Sequence, residues 1–152
     1  GGAIALQGTA DQLRVAQWLS HPWFAKPAPK SLDRDAFQHC VVDDLALPDA
    51  LATLALFTAN CAALAARDYP AANWLVTGGG RHNAAIMQQL AVATAAHIRP
   101  VEAVGWNGDA LEAEAFAYLA IRSKLDLPLS LPSTTGAPEP ICGGVFYPPV
   151  AA

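Results

Sequence analysis

Charge is scarce in this sequence: only 14% of its 152 residues are Asp, Glu, Lys or Arg. The nine basic residues are scattered and the net charge is −4. No basic stripe exists to neutralise phosphates along a strand, so a nucleic-acid partner is disfavoured. The three cysteines, Cys40, Cys61 and Cys142, are odd in number and form no C-x-x-C pair. That excludes a disulfide framework and predicts reduced, mostly buried thiols of a cytosolic protein. His21, His39, His82 and His97 lack the i, i+4 spacing of a helical zinc pair, so no metal site is predicted. The longest apolar run, Leu51 to Ala66, is interrupted by Thr53, Thr58 and Asn60. It falls short of a membrane span, and no membrane partner is expected. The first residues show no charged n-region, apolar h-region or small-residue cleavage site. No secretion signal is expected, and a cytoplasmic location is. Neither G-x-G-x-x-G nor a Walker A loop occurs, and no Ser/His/Asp or Cys/His set has supporting spacing.

What is abundant is apolar surface. The hydrophobic fraction is 53% and the mean hydropathy +0.26. A small soluble domain needs a polar skin, so such a chain either buries much of its surface against something else or is a piece of a larger protein.

The stretch Asn73-Trp-Leu-Val-Thr-Gly-Gly-Gly-Arg-His-Asn83 is the most informative. Trp74, Leu75 and Val76 favour a strand, three glycines follow, and Ala84, Ala85, Ile86, Met87 and Leu90 have helical spacing. Strand, glycine turn and helix is a geometry that brings bare backbone and a helix N-terminus to a nucleotide or anion. The same spacing also fits a tight turn with no ligand.

Elsewhere, a helix is predicted over Ala10 to Ser20 with Asp11 at its start, stopping at His21-Pro22. Trp23 to Ser31 is punctuated by prolines and excludes regular helix. Ser31 is placed to cap a short helix from Leu32 to His39. From Pro48 and Asp49 to about Asp68 the pattern predicts a helix buried on nearly every side. His97 to Val104 reads as a weaker strand broken by Pro100. Asp109 to Leu125 reads as a helix with Asp109 as N-cap and Glu112 as its capping-box partner. Leu127 to Pro140 reads as a loop, and Gly144 to Tyr147 as a last strand ending at Pro148-Pro149. The order of elements indicates an α/β layered fold with a parallel component, in a single domain over residues 1–152.

Glu112 shares a helical face with Phe116, Leu119 and Ala120, so it fits either a capping role or contact with a hydroxyl-bearing ligand. Lys30, Ser31 and Arg34 form a polar group compatible with anion contact or with solvated charge. His82 fits either a nucleotide contact or an ordinary surface position.

Several motifs together resemble one family. They are Gly2-Ala3 to Gly8, His21-Pro22-Trp23-Phe24, Pro29-Lys30-Ser31 with Arg34, Thr58-Ala59, and Thr77-Gly78-Gly79-Gly80 with His82-Asn83. Further along come Glu112-Ala113 with Phe116-Ala117 and Leu119-Ala120, Leu131-Pro132 with Thr135-Gly136-Ala137, and Gly144 with Tyr147-Pro148. In number and order they resemble the C-terminal portion of the anhydro-N-acetylmuramic acid kinases, of the sugar-kinase, Hsp70 and actin superfamily. The resemblance implies a ribonuclease-H-like, actin-like ATPase C-terminal domain. This would be a layered sheet with flanking helices, lacking its first antiparallel strands, and the nucleotide side of a two-domain sugar kinase. It implies transfer of the ATP γ-phosphate, with Mg2+, to 1,6-anhydro-N-acetylmuramic acid as its anhydro ring opens. The product is N-acetylmuramic acid 6-phosphate, in cell-wall (peptidoglycan) recycling.

Carried over by motif, Gly78, Gly79, Gly80 and Asn83 match the adenosine side of the cleft, and Glu112 the glutamate that faces the sugar. The family's phosphate loop and its Asp-Thr-Gly-Pro-Gly-Asn segment, with the catalytic base, have no counterpart here and are expected upstream. No catalytic residue is therefore expected in this chain, and no turnover from it alone. A missing amino-terminal half or a second copy is the expected partner. Leu32-Asp33 and Leu129-Ser130 stand where the family carries Thr-Gly and Gly-Asn, which removes a glycine from each loop. The competing reading is a catalytically dead nucleotide-binding or interaction module of the same fold.

Overall fold

A computed structural model describes residues 1–68 and 70–148. They divide into two compact units, Gly1–Ala25 with Asp33–Asp109, and Lys26–Leu32 with Ala110–Ala152.

The first unit is built round helix α2 (Leu47–Ala63). Pro48 sits in its first turn, where a missing N–H costs nothing. From Pro48 to Cys61 every residue except Thr58 is buried or half-buried, as the all-round apolar pattern predicts. Contrary to the expectation that no run reaches the length of a membrane span, the stretch Leu47–Arg67 is long and apolar enough to cross a membrane by length and composition alone. Here it is instead the core helix, packed against helix α1 (Gln12–Leu19), helix α4 (Ala84–Thr94) and the turn Ala5–Gln7. Small side chains make the close approach to the turn and to α4 possible: Ala5, Ala55 and Ala85 form one buried cluster. Towards α1 the contact is aromatic, with Phe57 edge-on to Trp18, Phe24 and Phe37 at ring-centroid distances of 5.3, 6.2 and 5.7 Å. Thr53 is fully buried with its hydroxyl satisfied, donating to Asp49 O (2.7 Å) and accepting from Asp11 N (3.0 Å).

Asp11, near the start of the predicted helix, is the N-cap of α1, its Oδ1 accepting from Arg14 N at 2.9 Å. Arg14 then reaches Asp44 with two 2.7 Å bonds and Val41 O at 2.8 Å, tying down the loop before α2. The Arg14 hydrogen bond holds the Asp44 carboxyl down to about 2. Strand β1 (Asn73–Val76) pairs in parallel with β2 (His97–Pro100), in register Asn73↔His97 to Val76↔Pro100. Helix α4 is the crossover between them, and short helix α3 (Ala65–Asp68) follows α2.

The second unit contains helix α5 (Leu111–Lys124) and the short helix α6 (Pro132–Thr135). Arg122 closes the turn after α5 by donating to Pro128 O at 2.7 Å, and Ser123 Oγ donates to Gly143 O at 2.6 Å. A single antiparallel bridge joins Ser130 to Ile141.

Five further expectations are corrected. The short helix after Ser31 is a 3-10 turn, Arg34–Phe37, and its cap is Asp33, whose Oδ1 accepts from Asp35 N at 3.0 Å. The strand from His97 ends at Pro100, which has no N–H to extend the ladder, and a 3-10 turn Val101–Val104 follows. Helix α5 is capped by Ala110, without a side-chain bond, because the Asp109 carboxylate is engaged elsewhere. Gly144 to Tyr147 forms no strand, having no partner strand among the described residues; Pro149 lies outside them. The thiols are not mostly buried: Cys40 and Cys61 are half-buried and Cys142 is exposed. Partial burial still pushes the Cys61 thiol up to about 11.

Candidate functional site

The glycine run lies between β1 and α4, as its sequence indicates. Gly78 has φ +72°, a conformation that costs a residue with a Cβ, and Gly79–His82 then forms a 3-10 turn. A Cβ added at Gly78, Gly79 or Gly80 would meet nothing within 4 Å, so the turn presents its backbone to open space. Among the described residues, the Gly79 and Gly80 amides donate to no acceptor. Two adjacent unpaired amides on bare backbone suit an anionic or hydroxyl oxygen.

The start of α4 is different from the expectation of free helix N–H groups. Asn83 is the N-cap, its Oδ1 accepting from Ala85 N (3.1 Å) and Ile86 N (3.2 Å). Ala84 N donates to Gly1 O at 3.1 Å. The first three amides of the helix are therefore occupied, and the donors left for a ligand belong to the glycine turn.

Sequence reasoning passed over Arg81. Its side chain is 2% exposed and each guanidinium nitrogen has an acceptor. Nε donates to Glu102 Oε1 (2.9 Å), Nη1 to Gly78 O (3.0 Å) and Nη2 to Asp109 Oδ1 (2.7 Å). Glu102 Oε1 also accepts from Gly108 N at 3.2 Å, and Thr77 Oγ1 donates to Gly108 O at 3.2 Å. The Arg81 hydrogen bond holds the Asp109 carboxyl below its usual range. Glu102 is also lowered, first by the amide of its own residue and then by Arg81. The one sequence signal for this arrangement was an arginine inside a glycine-rich turn of a charge-poor chain.

The structure gathers Gly78, Gly79, Gly80 and Asn83 into one turn. His82 is exposed beside it, with Nε2 3.8 Å from Asp109 Oδ1. Glu112 belongs to the second unit, in the first turn of α5 beside Glu114, and is exposed; no residue of α5 is buried. It is not the capping-box partner of Asp109, and the apolar face it shares with Phe116 is solvent-facing among the described residues. Lys30 and Ser31 lie in the second unit, where Lys30 Nζ donates to Lys26 O at 2.9 Å. Arg34 lies in the first, fully extended into solvent beside Asp35. No group of three His, Cys, Asp or Glu side chains among the described residues is placed to hold a metal.

These features define an α/β protein whose first unit carries a parallel strand–glycine turn–helix–strand motif. The chain belongs to the anhydro-N-acetylmuramic acid kinase family, whose model, described as Anhydro-N-acetylmuramic acid kinase, matches residues 1–149. It is similar to the protein of that name from Rhodospirillum rubrum, 52% identical over 97% of this chain and 40% of the relative. The counterpart from Acidiphilium cryptum is 52% identical over 94% of this chain and 41% of its own length. That from Caulobacter vibrioides is 49% identical, over 94% and 39%. The chain thus spans about 40% of the length of the curated relatives it matches. The family implies a sugar-kinase, actin-like fold, and the small parallel sheet with its helices is α/β as that requires.

Proposed function

We propose that this chain is the C-terminal, nucleotide-side portion of a cytoplasmic kinase. The kinase opens the anhydro ring of 1,6-anhydro-N-acetylmuramic acid and transfers the ATP γ-phosphate to the sugar's 6-oxygen, in peptidoglycan recycling. The observation that carries the reading is the glycine turn, with open backbone at Gly78–Gly80 and two amides without an acceptor. In this reading Gly79 and Gly80 donate to the nucleotide and Asn83, with Oδ1 committed to α4, meets it through Nδ2. Mg2+ arrives with the ATP phosphates, and Glu112 contacts the sugar. Both units belong to one ribonuclease-H-like domain, residues 1–152, that lacks its first antiparallel strands.

Phosphoryl transfer depends on positioning and on charge stabilisation round the β- and γ-phosphates. The chain carries no Gly-Lys-Ser/Thr phosphate loop and no Asp-Thr-Gly-Pro-Gly-Asn segment. By itself it is therefore proposed to have no turnover and to need an upstream half or a second copy. Phe116, Tyr118 and Ile121, all exposed on α5, favour the second reading as well, an inactive module that works through an interaction surface.

Calorimetric titration of Mg-ATP, with Gly79→Val as control, tests the nucleotide reading. The added side chain meets no protein atom at its Cβ, so the fold is kept while the ligand space is filled. Binding that is lost in the variant is the expected result. Equal binding by both chains, or none at millimolar ATP, counts against this site.

A further inference from the structure

Three consecutive glycines have little conformational preference of their own, so something else must hold Gly78 at φ +72°. Among the described residues both hydrogen bonds to the Gly78 carbonyl come from one residue: Arg81 N at 3.2 Å and Arg81 Nη1 at 3.0 Å. The other two nitrogens of the guanidinium are fixed by Glu102 and Asp109, and Glu102 and Thr77 bind the buried Gly108 from either side. Even the lack of a side chain at residue 108 serves this packing. A Cβ there would lie 2.5 Å from Arg81 Nε and 2.8 Å from Glu102 Oε1.

We infer that Arg81 is a positioning residue: anchored by Glu102 and Asp109, it holds the Gly78 carbonyl and so keeps the Gly79 and Gly80 amides available to the nucleotide. The role rests on the nucleotide reading of the turn. Arg81 itself is buried and has all three nitrogens engaged, so it acts through the backbone and does not touch the ligand. A planar fork of donors is needed, because three acceptors must be met in fixed directions, and a lysine ammonium cannot reproduce that.

The test uses the whole chain with Arg81→Lys and Asp109→Asn. Asp109 is 77% exposed in its side chain, so the second variant removes an anchor without disturbing the core. Amide exchange is followed at Arg81, Asn83 and Gly108, whose N–H groups are bonded to Gly78 O, Gly80 O and Glu102 Oε1. Exchange at α2 amides and the melting curve report the fold as a whole. Mg-ATP affinity is measured on the same samples. The expected result is faster exchange confined to the three turn amides, unchanged α2 protection, and affinity weaker by about tenfold. Unchanged exchange at the turn in both variants overturns the clamp. Faster exchange with unchanged affinity overturns the positioning role and leaves a structural ion cluster. If the unsubstituted chain does not bind Mg-ATP, the nucleotide reading fails and takes the positioning role with it. The exchange data still decide separately whether Arg81 holds the turn.

Discussion

Helices α2 and α5 are of similar length, 17 and 14 residues, yet they end in opposite environments. Along α2, Ala50, Ala52, Thr53, Ala55, Phe57 and Ala59 are buried, while along α5 no residue is. Composition does not separate them simply, since α5 carries Phe116, Tyr118, Leu119 and Ile121. The difference is one of partners. Within its unit α2 is met by α1, α4 and the Ala5–Gln7 turn, whereas α5 is met by irregular chain at Pro128 and Gly143. A helix's apolar face is stabilising only when another surface removes it from water. The first unit therefore holds its own core. The second shows an apolar face whose cover, in the proposed function, belongs to the rest of a kinase.

The comparison breaks if the two units respond alike to truncation. Phe57→Ala removes the ring on which Trp18, Phe24 and Phe37 converge, and a loss of about 3–5 kcal/mol is expected in urea unfolding. Gly8→Ala comes next. Its backbone is extended, so strain is not the issue, but the new Cβ would overlap the backbone of Pro48 and Asp49 at the start of α2. A cost of about 1–3 kcal/mol follows from such overpacking, against about zero for Gly79→Ala in open space.

Acid should act on the first unit at the Arg14–Asp44 pair and at the glycine turn. The folded carboxyls of Asp109 and Glu102 are depressed, so their stabilisation is complete above the unfolded carboxylate range. It is lost as pH falls through the folded values. The melting temperature should drop on acidification below about pH 4, with a shallower slope in Asp109→Asn. The smallest effect is expected at Phe116→Ala, within about 0.5 kcal/mol, because the ring is already 65% exposed. A large loss there would mean that α5 is covered in solution by a second copy.

The strand, glycine turn and helix from Asn73 to Thr94 were legible because each signal is local: a β-favouring run, a residue free to take positive φ, then helical spacing. The caps divide on the same principle. Asp11, placed near the start of its helix by the sequence, caps it because its acceptor oxygen meets Arg14 N only three residues away. Asp109 was not, because Arg81, 28 residues away, takes its carboxylate. Glu112 shows the same limit, since helical spacing places it beside Phe116 without saying whether that face is covered. The last strand failed for a related reason, as Val145, Phe146 and Tyr147 favour extended chain but find no ladder to join among the described residues.

Local stereochemistry written in the sequence therefore determined the glycine turn, the proline-limited segments, the helix beginning near Asp11 and the apolar core helix. These depend on φ preferences, missing N–H groups and side-chain periodicity, which act over a few residues. Only the tertiary structure decided that Asn83 and Gly1 occupy the first amides of α4, and that Arg81 joins Gly78 to Glu102 and Asp109. It also decided that α5 is left uncovered among the described residues. Hydrogen bonds and burial depend on which distant groups arrive at the same place, and that follows from the packing of the whole chain.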